Sequence, residues 1–205
     1  MTQSTHTVSG DFDLTMDELR VVARYVVRHA EDVLSAFERA VPHDPRPRAA
    51  IDAARAFVEG AHRTALQRVT SFDAHRAARS APCEAARLAA RSAGDAASAA
   101  YLHPIAQSGQ VGHILRAAAS AARIGEMAAG GDPAAGDALL ERSRLRATPV
   151  LIDVLRRYPP VPSGGSSRVA RLMSTLDHSL RPATVRSPGH TPGSGADVHR
   201  RESTS

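Results

Sequence analysis

The sequence predicts an all-α protein: a single multi-helix bundle of about six to eight helices, with alanine-rich, close-packed helices and no sheet. Three observations predict it. Alanine supplies 39 of the 205 residues, and alanine is the strongest intrinsic helix former. Apolar residues recur at steps of three and four along much of the chain. No segment has a convincing period-two alternation, the mark of a half-buried strand.

The clearest helix follows a polar start. Thr15 and Glu18 have capping-box spacing, a hydroxyl for the N3 amide and a carboxylate that reaches back. Behind them Leu19, Val22, Ala23, Val26, Ala30, Val33, Leu34, Phe37 and Val41 form one apolar face. Pro42 ends this helix, and Pro42-His43-Asp44-Pro45-Arg46-Pro47-Arg48 is a stiff connector, because each proline fixes φ and restrains the residue before it. A second helix is expected from Pro47 to Glu59 with Ile51, Ala54 and Val58 inward, closing at Gly60. Residues 62–80 form a less regular helical stretch, with Leu66, Val69 and Phe72 expected inward. Pro82 suits a first helical position and opens a helix to about Tyr101. The polar stripe of that helix is Glu84, Arg87, Arg91, Asp95 and Ser98; its other faces are nearly all alanine, with Gly94 among them. Small side chains let helices approach to the short end of the usual ~8–10 Å.

Pro104 breaks the chain again. A helix from Val111 to about Ala129 has Val111, Ile114, Leu115, Ala118, Ala122 and Gly125 on one face, and Gly130-Gly131 ends it. Asp132-Pro133 caps the next, which runs toward Tyr158 and restarts at Thr148-Pro149. Val150, Leu151, Val154 and Leu155 then face inward. Pro159 to Ser167 is a Pro/Gly/Ser linker, and a last helix at about 167–180 places Val169, Leu172, Met173, Leu176 and Leu180 on one side. The expected organisation is a disordered leader over 1–13, a helical domain over 14–180 and a disordered Pro/Ser/Gly/His-rich tail over 181–205.

Composition removes whole chemistries. The chain has no lysine, so all 26 basic residues are arginine. A P-loop, a protein kinase and a pyridoxal enzyme each need a lysine. The single cysteine, Cys83, excludes an internal disulfide framework and multi-cysteine metal sites; among alanines it reads as a small packed residue. The net charge of +5 is modest and interleaved with acids, which argues against nucleic acid as a partner. Met1 to Asp13 has neither a basic nor an apolar region, so it does not read as a signal peptide, and no run approaches a spanning helix. A cytoplasmic protein without membrane attachment is expected.

Three groups of residues could carry function. Asp44, Arg46 and Arg48 sit on the stiff connector, where little entropy is lost on binding a carboxylate or phosphate; the plainer alternative is an interhelix turn capped by Asp44. Asp95, His103 and His113 could converge as a polar or metal cluster if Pro104 makes a tight turn. No helix carries a His-x-x-x-His or Glu-x-x-His pair of the kind a bundle metal site uses, so histidines bonded to helix carbonyls are the simpler reading, and no cofactor or metal is assigned. Ser163-Gly164-Gly165-Ser166-Ser167-Arg168 could hold a phosphate but lacks the strand and lysine of a true phosphate loop. The pairs Arg91 with Asp95 and Asp153 with Arg157 have the i,i+4 spacing of exposed helix pairs, which contribute about 0.2–0.5 kcal/mol each.

Several runs in order carry a likeness. They are Glu31-Asp32-Val33-Leu34, Phe37-Glu38, Asp44-Pro45-Arg46-Pro47-Arg48, Ile51-Asp52-Ala53-Ala54-Arg55-Ala56-Phe57, Ala74-His75-Arg76-Ala77-Ala78-Arg79, Ala89-Ala90-Arg91-Ser92-Ala93-Gly94-Asp95 and Tyr101-Leu102-His103-Pro104. Over about residues 15–180 the chain resembles a family of immunity proteins from bacterial polymorphic toxin systems. The resemblance implies an all-helical, non-enzymatic protein that neutralises a cognate protein toxin by binding it, and it carries over no catalytic residues. Asp44, Arg46, Arg48, His75, Arg76 and Arg79 are the partner-binding candidates. Two other readings stand below it: a nucleic-acid-binding or regulatory helical protein, resting on the arginines, and a metal-dependent helical-bundle enzyme, resting on the histidines alone.

Overall fold

Helix α1, Met16–Ala40, begins at the capping box the sequence announces. The Glu18 amide donates to Thr15 Oγ1 at 3.1 Å and the Thr15 amide to Glu18 Oε2 at 2.8 Å. The computed structural model describes residues 7–8 and 10–181 of the chain. Over these residues seven more helices follow: α2 Arg46–Val58, α3 Ala65–Ser80, α4 Glu84–Ser98, α5 Val111–Ala128, α6 Pro133–Arg146, α7 Pro149–Arg156 and α8 Arg168–Leu180. Single 3-10 turns occupy Ala99–Tyr101 and Ser108–Gln110. Ahead of α1, two residues of β1 (Thr7–Val8) pair antiparallel with two of β2 (Leu14–Thr15) and add no layer. The fold is the predicted all-α bundle.

The core sits along α1. Leu19, Val22, Ala23, Val26 and Ala30 are wholly buried, and α1 packs on α2, α4, α5 and α7. Helix α4 is the second hub, in contact with α1, α2, α3 and α5. Its alanines make this possible: Ala86, Ala89, Ala90 and Ala93 are sealed, and Ala77 and Ala78 of α3 meet three of them. Each methyl buries little, at about 0.8 kcal/mol per CH₂-sized group, so close approach over many residues replaces large anchors. Turn chemistry follows the sequence. Gly60, Gly130, Gly131 and Gly164 take positive φ at the ends and linkers where they were expected, and Thr148 caps a restarted helix by accepting from the Leu151 amide at 3.2 Å.

Some expectations are corrected. Helix α3 turns its Leu66, Val69 and Phe72 outward, 55 %, 55 % and 60 % exposed. Its buried face is Gln67, Thr70, Ser71, Ala74, Ala77 and Ala78. The physical reason is fit: only small or self-satisfied side chains can meet the alanine face of α4 at close range. Gln67 is satisfied by donating to the Ala53 carbonyl at 3.1 Å, and Ser71 by donating to the Gly94 carbonyl at 2.9 Å. A second capping box, Thr64 with Gln67, starts α3 three residues later than expected. Helix α4 starts at Glu84, with Cys83 as an exposed N-cap and not a packed residue. In α2, Phe57 is fully buried beside the expected Ile51 and Ala54. In α7, Val150 is 43 % exposed and not inward.

Residues 10–13, within the expected leader, run along the body. The Asp11 amide donates to the Pro104 carbonyl at 2.9 Å, and Phe12 stacks edge-on against Tyr158 with centroids 4.9 Å apart. The expected tail lies almost entirely outside the described residues. Its first residue, Arg181, donates to Asp177 and to the Leu155 and Tyr158 carbonyls, which locks the end of α8 onto α7.

Candidate functional site

Three helices contribute two or three polar residues each, about one turn apart, to a single cleft of about 340 Å³. Helix α3 supplies His75 and Arg79, α4 supplies Arg87, Arg91 and Asp95, and α5 supplies His113 and Arg116. Because α4 lies against both α3 and α5, its i, i+4, i+8 row forms the middle of the cleft. Arg87 and Arg91 are exposed at the open end, while Asp95 is only 1 % exposed on the floor.

Gly94 shapes that floor. A Cβ there would lie 2.7–2.9 Å from the His75 ring, so the ring lies directly on the α4 backbone. His75 Nε2 is 4.0 Å from Asp95 Oδ1. That oxygen instead accepts from Arg116 at 3.0 Å, while Asp95 Oδ2 and His113 Nδ1 have no hydrogen-bond partner. Burial pushes the Asp95 carboxyl up to about 6 against the pull of Arg116 and Arg91. Burial, helped by Arg91 and Arg116, pulls His75 down to about 4. Burial and Arg116 lower His113 as well. At neutral pH both imidazoles are therefore uncharged, and four arginines and one carboxylate line the cleft.

The expected Arg91–Asp95 helix pair is thus replaced by a cross-helix pair, Arg116 with Asp95. Likewise Asp153 meets Arg156 at 3.5 Å, while Arg157 reaches Glu18 at the start of α1. Of the proposed cluster Asp95, His103 and His113, the first and last share the cleft. His103 is exposed beyond it, its carbonyl taking the Tyr158 hydroxyl at 3.0 Å. Among the described residues no three His, Cys, Asp or Glu side chains come together in a way that could hold a metal ion. Other histidines bond carbonyls: His29 Nδ1 donates to Tyr25 at 2.8 Å and His178 Nδ1 to Ser174 at 2.7 Å.

A second feature borders the cleft. The outward row of α3 runs Leu66, Val69, Phe72, Arg76 and Arg79, apolar in its first turns and basic in its last. Arg76 donates to Asp73 at 2.9 Å. The Pro42–Arg48 turn is on this side too, for Arg46 lies within electrostatic reach of Asp73. Both guanidiniums of the turn are engaged internally, Arg46 with Asp44 at 2.5–2.8 Å and Arg48 with Glu38 at 2.5–2.7 Å. Asp44 also takes the Arg46 amide at 3.1 Å and so closes the turn. The Ser163–Ser167 linker ends in an ordinary cap, Ser167 accepting from the Ala170 amide at 3.1 Å.

Sequence reasoning singled out His75, Arg79, Asp95 and His113 but not their convergence. Arg87 and Arg91 belong to the polar stripe of α4, a pattern that any exposed helix face shares. The available signal was Gly94 beside Asp95, a mark of close helix approach exactly one residue from a charge. Arg116 offered no signal beyond its i+3 relation to His113.

Fold and surface together define a small helical protein with a basic cleft and an outward apolar–basic helix face, both on α3 to α5. The model of the Imm-5 like putative immunity protein family matches residues 13–124, more than half of the chain, and the chain belongs to that family. The match spans α1 through most of α5 and so contains both features. Comparison with curated proteins and with solved structures returns no match. Among the described residues no helix is long and apolar enough to cross a membrane.

Proposed function

We propose that this chain is the immunity partner of a bacterial polymorphic toxin system, and that it neutralises its cognate protein toxin in the cytoplasm by direct, non-catalytic binding. The observation that carries this reading is the α3 face. Leu66, Val69 and Phe72 are more than half exposed on successive turns, and an apolar row of this kind gains free energy when a partner covers it. Arg76 and Arg79 continue the row. An apolar centre with adjoining arginine is the composition of a protein interface and not of a nucleic-acid groove. Membership of the family supplies the kind of partner.

In this reading the helical domain 14–180 is the working unit, and His75, Arg76 and Arg79 flank the apolar contact. Asp44, Arg46 and Arg48 form a rigid rim: their charges are already matched, so they contribute shape more than attraction. The partner surface is apolar with acidic groups around it.

Co-expression with the protein encoded beside this one tests the proposal. Growth rescue and a stable complex are expected. Leu66→Asp with Phe72→Asp is expected to abolish both and leave folding intact, since exposed positions change stability by only about 0.5 kcal/mol. Absence of any complex, or full protection by the double variant, contradicts it.

A further inference from the structure

We infer that the cleft between α3, α4 and α5 is a binding site for a small phosphorylated molecule, its phosphoryl group held by Arg79, Arg87, Arg91 and Arg116 and a hydroxyl or amino group of the same molecule facing Asp95. The inference is independent of the toxin reading.

The first observation is charge without a partner. Most arginines among the described residues are held by a carboxylate or a carbonyl, as with Arg123 between Glu84 and Glu126 or Arg181 on Asp177. Arg79, Arg87 and Arg91 are held by neither, and they line the same cleft as Arg116. Guanidinium groups concentrated in a concave site are the usual means of gripping a phosphate, because each offers a fork of N–H donors matched to its oxygens. A single carboxylate would leave most of this charge uncompensated; a phosphate monoester dianion matches it better.

The second observation is the floor. Asp95 is 1 % exposed and its Oδ2 has no partner. A buried carboxylate oxygen with no donor is costly, and native structures seldom keep one without a use. Arg116, fixed by Asp95 Oδ1 at 3.0 Å, is already oriented, so binding loses little entropy there. The other oxygen is free to accept a hydrogen bond from a ligand hydroxyl or amino group. With both imidazoles uncharged, they too can accept or donate a hydrogen bond without adding charge. The volume of about 340 Å³ lies at the small end of ligand sites, suited to a sugar phosphate or a nucleoside monophosphate.

Isothermal titration calorimetry on the full chain, in low-salt buffer free of phosphate and sulfate, tests the inference. The probes are inorganic phosphate, glucose 6-phosphate, adenosine monophosphate and a glutamate-rich peptide. Saturable binding of one of the two phosphorylated organic probes is expected, tighter than inorganic phosphate. Arg87→Gln and Arg91→Gln, both at exposed positions, should each weaken it by about tenfold, while Arg142→Gln, exposed and away from the cleft, should leave it unchanged. Equal binding by wild type and both cleft variants, no binding at millimolar concentration of either organic phosphate, or binding of the peptide alone would overturn it.

Discussion

His75 and Gly94 make one structural unit. The imidazole occupies the space that a side chain at Gly94 would fill, 2.7–2.9 Å from where its Cβ would stand. Gly94→Ala should therefore expel the ring from the cleft floor and cost about 1–3 kcal/mol, the range for an overpacked contact. Urea unfolding together with the chemical shifts of the His75 ring would check it; an unshifted ring with unchanged stability would refute the close contact. His29 illustrates a different kind of buried imidazole. Burial holds it near 4 while its Nδ1–H donates to the Tyr25 carbonyl. Below its unfolded value of about 6.5 the unfolded chain takes up a proton that the folded chain refuses until about pH 4. Its contribution to stability is therefore full above 6.5 and is lost as the pH falls through that window. His75 acts in the same sense, and Asp95, raised to about 6, acts in the opposite one, favouring the folded state more as the pH falls from 6 toward 4. Thermal melts of His29→Leu between pH 7 and 4 should fall less steeply than those of wild type; parallel curves would contradict the assignment.

At the level of elements, spacing located the helices but could not always orient them. Helix α1 carries one dense apolar face, so its direction was unambiguous. In α3 two faces competed: Leu66, Val69 and Phe72 on one, Ala74, Ala77 and Ala78 on another. Hydrophobicity favoured the larger residues, yet α4 offers an alanine surface that only small side chains can approach. Shape won over apolar area, and Leu66, Val69 and Phe72 were left exposed. Polar links between elements were illegible for a related reason, since they join residues far apart in the chain. Glu126 of α5 is 2 % exposed and accepts from Arg168 of α8 and Arg123 of α5, while Arg123 also reaches Glu84 of α4. Helix α6 leaves room for it with Gly136, where a Cβ would come within 2.4 Å of Glu126 Oε1. Glu126→Ala is expected to lower stability by about 1.5–3 kcal/mol, the worth of a charge-assisted hydrogen-bonded group. Denaturant midpoints would measure this, and a loss under half a kilocalorie would mean that the network carries no weight.

Across the whole molecule, helix number, order and most ends could be read from capping residues, prolines and glycines, because these act locally. The convergence of His75, Arg79, Asp95 and His113 could not be, because it depends on α4 lying between α3 and α5. The family match over 13–124 covers those same helices, while α6 and α8 pack on α5 and on each other and α7 packs on α1. Under the proposed function, recognition falls on α3 and support elsewhere. Amide hydrogen exchange on the complex with the cognate toxin tests this most directly. New protection is expected over residues 65–80, centred on Val69 and Phe72, with smaller changes at the 42–48 turn and none on α6 or α8. Protection confined to α6–α8, with α3 exchanging as in the free protein, would contradict it.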